Sequence, residues 1–120
     1  MIAIVDDDDA VRRAIMSLVR SLGYDVSAFS SAEAFLESEQ IKDTSCLVTD
    51  LQMPGLSGID LQDRLIADGY RIAVIFLTGY PDENVRTRAI KAGAVAFLTK
   101  PCDGDHLLGC LENALSGSAM

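Results

Sequence analysis

The sequence is poor in three things: cysteine, positive charge and long apolar runs. Its three cysteines, Cys46, Cys102 and Cys110, are an odd number without a CxxC pair. That excludes a disulfide framework and a zinc ribbon, and leaves reduced thiols as the expectation. Lys and Arg number 10 against 18 Asp and Glu, a formal net charge of −8. A surface of that sign repels phosphate, so this chain is not expected to grip nucleic acid directly, and any DNA contact falls to another domain. The longest uninterrupted apolar run, Ile72 to Leu77, covers six residues, against roughly 20 for a membrane-spanning helix. Met1-Ile2-Ala3-Ile4-Val5, followed by four aspartates, has neither the basic flank nor the cleavage site of a signal peptide. No membrane association and a cytoplasmic location are therefore expected. No long linker, low-complexity segment or close repeat interrupts the chain.

What is present is one domain's worth of ordinary globular sequence, 120 residues with 49% apolar and 23% charged side chains. One stretch organises it: Cys46-Leu47-Val48-Thr49-Asp50-Leu51-Gln52-Met53-Pro54-Gly55-Leu56-Ser57-Gly58. A short apolar run that ends on a carboxylate, then a Pro-Gly loop and a Ser-led helix start, reads as strand, site, loop and helix.

The same rhythm recurs along the chain. Ile2 to Val5 reads as a strand, with Asp8 or Asp9 capping a helix whose apolar residues are Val11, Ile15, Leu18, Val19 and Leu22. Tyr24 to Phe29 is rich in strand formers, and Ser30 with Glu33 predicts a capping box for a helix through Leu36. A polar segment from Glu37 to Thr44 leads to the central stretch. Ser57 is expected to cap a helix that buries Ile59, Leu61, Leu65 and Ile66 and ends at Gly69. Ile72 to Leu77 lacks alternation, as a central parallel strand covered on both faces should, and it ends on Thr78. Val85, Ala89 and Ile90 form the thin apolar face of a fourth helix closed by Gly93. Val95 to Thr99 is the fifth strand, and a last helix carries Leu107, Leu108, Leu111, Ala114 and Leu115. Five strand-then-helix units predict an α/β, doubly wound parallel sheet. The domain is expected over residues 1–115, with 116–120 as a flexible tail or the start of a linker.

In such a sheet, ligands bind beyond the carboxyl ends of the strands. Those ends carry Asp6 and Asp7, Asp50, Thr78 and Lys100. Clustered carboxylates repel one another unless a cation intervenes, and an all-oxygen cluster suits Mg²⁺. A metal there can bridge to a phosphoryl group whose other oxygens fall to Lys100 and Thr78, with Asp50 as the nucleophile that becomes an acyl phosphate.

These four motifs in register, an acidic pair after the first strand, Asp-x-x-Met-Pro-Gly after the third, Thr-Gly after the fourth and Lys-Pro after the fifth, resemble the receiver domain of two-component response regulators. The resemblance runs from about Ile2 to Leu115. Leu77-Thr78-Gly79-Tyr80 and Lys91-Ala92-Gly93-Ala94-Val95-Ala96-Phe97-Leu98-Thr99-Lys100-Pro101 look most like the FixJ-type subgroup, which usually carries a helix-turn-helix output domain that is not expected within these 120 residues. The resemblance implies a flavodoxin-like (βα)5 fold with strand order 2-1-3-4-5. It also implies a regulatory phosphoacceptor rather than an enzyme, phosphorylated by a sensor histidine kinase. By position, Asp50 matches the phosphoacceptor. Asp6, Asp7, Asp50 and the Gln52 backbone carbonyl match the ligands of Mg²⁺, for which Mn²⁺ is an expected substitute. Thr78, Lys100 and Phe97 match the phosphate-binding and switch residues. Gln52 and Tyr80 fall where water access to the acyl phosphate is shaped, and the Lys100-Pro101 bond matches one that is cis in the family. A homodimer through Val85–Phe97 and the last helix is the implied response.

Blander and competing readings attach to several of these residues. Asp6 to Asp9 alone would be a solvated helix start, Asp50 a turn former and Phe97 a core residue. Cys102, His106 and Cys110 lie in a row at i, i+4, i+8, but one helix face cannot surround an ion, and free Cys commonly packs as a small hydrophobe. Asp6-x-Asp8 also resembles the motif of haloacid dehalogenase-type phosphohydrolases, a reading that leaves Asp50-x-x-Met-Pro-Gly unexplained. A degenerate receiver that binds partners without phosphorylation is the third possibility, at odds with the full set of polar residues.

Overall fold

A computed structural model describes residues 1–100 and 103–117, with the side chains of 116 and 117 left aside. Its strands are β1 (Ile2–Val5), β2 (Val26–Phe29), β3 (Cys46–Thr49), β4 (Ala73–Thr78) and β5 (Ala96–Thr99). Its helices are α1 (Asp9–Ser21), α2 (Ala32–Glu37), α3 (Gly58–Ala67), α4 (Glu83–Lys91) and α5 (Gly104–Gly117). All strand pairs are parallel and the order is β2-β1-β3-β4-β5, the order implied by the resemblance.

The helices divide between the two faces because side chains alternate along each strand. Ala3, Val5, Leu47, Val74 and Phe76 point to one face, where they meet Phe35 of α2, Leu61 and Leu65 of α3 and Ala89 of α4. Ile2, Ile4, Cys46, Val48, Ile75 and Leu77 point to the other, against Ile15 and Val19 of α1 and Leu107 and Leu111 of α5. Both sides of the sheet are buried, which is why the strand sequences read as unbroken apolar runs. Asp8 caps α1 by accepting from the Val11 N–H, and Asp82 caps α4 by accepting from Asn84 and Val85. Ser57 and Asp60 form a reciprocal capping box at the start of α3, which also holds the Asp60 carboxyl below its usual range.

Several expectations shift. The cap of α2 is Ser31, which accepts from the Ala34 N–H, so the Ser30–Glu33 box does not form. The polar link before β3 contains a 3₁₀ helix, Glu39–Asp43, that buries Ile41. Ile66 and Ile90, expected in the core, are 54% and 43% exposed. In α3 the position facing α4 is instead taken by Gln62, whose Nε2 donates to the Ala89 carbonyl at 3.1 Å. Strands β2 and β5 are shorter at their starts than expected because ladder pairing begins at Val26 and, against Ile75, at Ala96. Among the described residues no helix is long and apolar enough to cross a membrane.

Candidate functional site

Parallel strands deliver their carboxyl ends to one edge, and there the chain turns polar. Asp6 follows β1; its N–H still donates to Phe29 O at 3.2 Å, so its backbone remains tied to the sheet. Its side chain is 2% exposed, with the carboxylate accepting from the Asp8 N–H at 2.9 Å and from Lys100 Nζ at 2.8 Å. Asp50 follows β3, and its N–H donates to Val5 O at 3.1 Å. Asp50 Oδ1 accepts from the Leu51 N–H at 2.7 Å and the Gln52 N–H at 3.4 Å, while Oδ2 accepts from Lys100 Nζ at 3.1 Å.

Lys100 enters from the end of β5, where its N–H donates to Thr78 O at 2.7 Å. Burial works to lower its pKa, but hydrogen bonds to and charges on Asp6 and Asp50 prevail and hold it above the usual lysine value. The site lysine is therefore a fixed cation bridging two carboxylates.

Asp7 completes the cluster: one oxygen each of Asp6, Asp7 and Asp50 lie within 4.8 Å of one another. Three carboxylates against one ammonium leave two negative charges uncompensated, all on oxygen donors, and a hard divalent cation fits that set. An open cleft of about 350 Å³ above it is lined by Asp7, Asp50, Gln52, Tyr80 and Lys100 among others. The carboxylate of Asp50 is thus oriented by backbone donors on one oxygen and approachable from solvent.

Of the residues singled out in the sequence, Asp6, Asp7, Asp50 and Lys100 converge. Thr78 and Phe97 stand behind them. Thr78 is fully buried, its hydroxyl accepting from the Tyr80 N–H at 3.1 Å. Phe97 is half-buried, with its ring centroid 6.0 Å from that of Phe76. The Lys100-Pro101 bond, Cys102 and the 118–120 tail lie outside the described residues. His106 is exposed and Cys110 packs with the apolar residues of the α1–α5 face. Among the described residues the acidic trio is the one group of three or more His, Cys, Asp or Glu side chains close enough to share an ion. Asp8, needed by the phosphohydrolase reading as an acid, has Oδ1 engaged as the α1 cap.

Two site features escaped sequence reasoning. Gly58 approaches the Asp50 backbone so closely that a Cβ would overlap the Asp50 carbonyl oxygen. Arg12 donates from Nη1 to the Asp6 carbonyl at 2.8 Å and from Nη2 to the Asp9 carboxylate. The Asp9–Arg12 spacing of three residues was the available signal for the second contact.

The arrangement has counterparts among known proteins. The response regulator protein TmoT of Ectopseudomonas mendocina is 47% identical over 96% of this chain and 52% of its own length. The transcriptional regulatory protein FixJ of Azorhizobium caulinodans is 41% identical over 97% of this chain and 55% of its own. The chain spans about half the length of the curated relatives it matches. Among solved structures, the response regulator StyR superposes with a TM-score of 0.90 at 42% identity, over 98% of this chain and 60% of that one. The crystal structure of FixJ-N gives 0.85 at 36%, over 96% and 92%. Residues 2–112 match the response regulator receiver domain, so an acidic cleft built at the strand ends of a 2-1-3-4-5 sheet has its family: this chain belongs to the receiver domains of two-component response regulators.

Proposed function

We propose that this domain is a phosphorylation-dependent switch that accepts a phosphoryl group on Asp50 from a sensor histidine kinase. The observation that carries the reading is the state of Asp50: a carboxylate at the cleft floor with Oδ1 held by backbone N–H groups and Oδ2 held by Lys100. In the reaction an Asp50 oxygen attacks phosphorus, the new O–P bond forms as the P–N bond of a phosphohistidine breaks, and the neutral imidazole leaves with a proton from solvent. Asp6, Asp7, Asp50 and the Gln52 backbone carbonyl would hold Mg²⁺, with Mn²⁺ as substitute. When bound, the ion neutralises charge that builds on the phosphoryl oxygens.

Lys100 serves the same product. Its ammonium neutralises Asp6 and Asp50 before transfer and pairs with a phosphoryl oxygen afterwards, at the cost of its contact with Asp50. Thr78 supplies the readout: its hydroxyl has to leave the Tyr80 N–H to reach the phosphoryl group. Phe97 follows into the space behind it. A phosphoryl group shifts the balance only between arrangements it contacts differently, and Thr78 and Lys100 provide that difference. The responding surface is Val85–Phe97 with α5, used for homodimerisation, and the output is transcriptional control through a separate domain.

Incubation with Mg²⁺ and acetyl phosphate, followed by intact mass, tests this. One added phosphoryl group is expected, absent in Asp50→Asn and only weakened in Asp6→Asn. Attachment at Asp6 would sink the assignment. Thr78→Ala should still be labelled but lose phosphate-dependent dimerisation in sedimentation; retained dimerisation removes Thr78 from the switch.

A further inference from the structure

The site just described gives no task to Arg12, a charged side chain only 17% exposed at the first turn of α1. Its guanidinium does not touch a cluster carboxylate. It donates instead to the backbone carbonyl of Asp6 at 2.8 Å and, through its other terminal nitrogen, to the carboxylate of Asp9. Asp6 is where the chain leaves the sheet, with its N–H on Phe29 O and its Oδ1 on the Asp8 N–H. Its Oδ2 is held by Lys100 Nζ, and the bond from Arg12 is the fourth tie and the one made to the backbone carbonyl, so it restrains the plane of the Asp6–Asp7 peptide. Among the described residues, Asp7 has no hydrogen-bond partner to aim its carboxylate. Its direction toward Asp6 and Asp50 is therefore inherited from that peptide.

We propose that Arg12 is a positioning residue for the divalent cation: by pinning the Asp6 carbonyl it orients the Asp6–Asp7 peptide and so presents Asp7 to the ion. The proposal rests on the reading of Asp6, Asp7 and Asp50 as the cation site. It makes an unusual demand, because two effects of removing Arg12 oppose each other. Coulomb's law says that deleting a positive charge beside an acidic cluster tightens cation binding. Loss of a residue that orients a ligand weakens it, typically by 10- to 100-fold. The sign of the change separates the two. The planar fork of arginine also spans two acceptors where a lysine ammonium is a point donor, so Arg12→Lys keeps the charge and loses the geometry.

The test is calorimetric titration of the full chain with MgCl₂. Arg13 is exposed one residue on, and Arg13→Gln provides the purely electrostatic baseline, with affinity equal to or slightly tighter than wild type. Arg12→Gln should bind Mg²⁺ about 10-fold more weakly, and Arg12→Lys should fall between it and wild type. In acetyl phosphate labelling, Arg12→Gln should raise the half-saturating Mg²⁺ concentration while leaving the plateau rate within about twofold, since Asp50 and Lys100 are untouched. Circular dichroism checks folding; if Arg12→Gln is unfolded, the charge-conserving Arg12→Lys decides alone. Wild-type affinity, or tighter, in the Arg12 variants overturns the proposal while leaving the cation site standing. Absence of Mg²⁺ binding to wild type overturns the site and the proposal together.

Discussion

Replacing Gly58 by alanine puts the closest approach in the site under direct load. Gly58 is the first residue of α3, and its N–H donates to Leu51 O at 2.9 Å. An added Cβ would overlap the Asp50 carbonyl oxygen and lie 3.1 Å from both the Asp50 carbonyl carbon and Leu51 Cα. Ordinary carbon–carbon contact is about 3.5–4.0 Å. The obstacles are backbone atoms, so no side-chain rotation relieves them; α3 and the Asp50–Leu51 peptide have to part. Overpacking of that kind costs roughly 1–3 kcal/mol, against a gain of roughly 0.5–1 kcal/mol for removing a helical glycine. A net loss of about 1–2 kcal/mol is expected in urea unfolding. The larger effect falls on chemistry, because the peptide that must yield belongs to Asp50, the proposed phosphoacceptor. A displacement approaching 1 Å can cost about 100-fold, so acetyl phosphate labelling of Asp50 should slow by about 10- to 100-fold. Gly109 is the internal control: it lies within α5, and a Cβ there meets nothing within 4 Å. Gly109→Ala should stabilise the fold by roughly 0.5–1 kcal/mol and leave labelling unchanged. A Gly58→Ala protein as stable as wild type and labelled at full rate would refute the close-approach reasoning.

Cys46 is fully buried in β3, and burial pushes its thiol up to about 12 from 9.0. The folded pKa is raised, so the associated stability is complete below pH 9 and is lost as pH rises toward 12. The slope is about 1.4 kcal/mol per pH unit and the total roughly 4 kcal/mol. Urea midpoints between pH 8 and 10.5 should fall more steeply for wild type than for Cys46→Ala; parallel curves contradict the burial argument. Gln62 is buried with its Oε1 unpartnered, while the Ala89 carbonyl it contacts also accepts from the Ala94 N–H at 3.0 Å. Gln62→Met should therefore leave stability unchanged or raise it by up to about 1 kcal/mol, and a loss above about 2 kcal/mol in urea unfolding would show that the hydrogen bond to Ala89 matters more. Ser31→Ala should cost about 1 kcal/mol through the lost α2 cap and Ser30→Ala a few tenths at most; the reverse order would restore the cap to Ser30.

Local chemistry made much of the molecule legible in advance. Apolar runs that end on polar residues marked five strands, and their ends named Asp6, Asp7, Asp50, Thr78 and Lys100. Ser57, Asp8 and the turn glycines acted over a few residues, so their roles could be read from spacing alone. Misjudgements came where two neighbours offered the same chemistry, as with Ser30 and Ser31, or where an apolar residue sat at the margin of a helix stripe, as with Ile66 and Ile90. A helical wheel cannot say how far the neighbouring helix extends over that margin.

By itself the sequence determined the order of elements, the parallel doubly wound class and the carboxylates that could serve as a site, because each depends on residues close along the chain. Tertiary structure alone decided which oxygens Lys100 bridges, that Thr78 lies buried behind the cleft on the Tyr80 N–H, that Gly58 touches the Asp50 backbone, and that Arg12 holds the Asp6 carbonyl. Those contacts depend on the pitch of helices over the sheet and on hydrogen-bond distances such as the 2.8 Å between Lys100 and Asp6, 94 positions apart, and spacing along a chain carries no such distance.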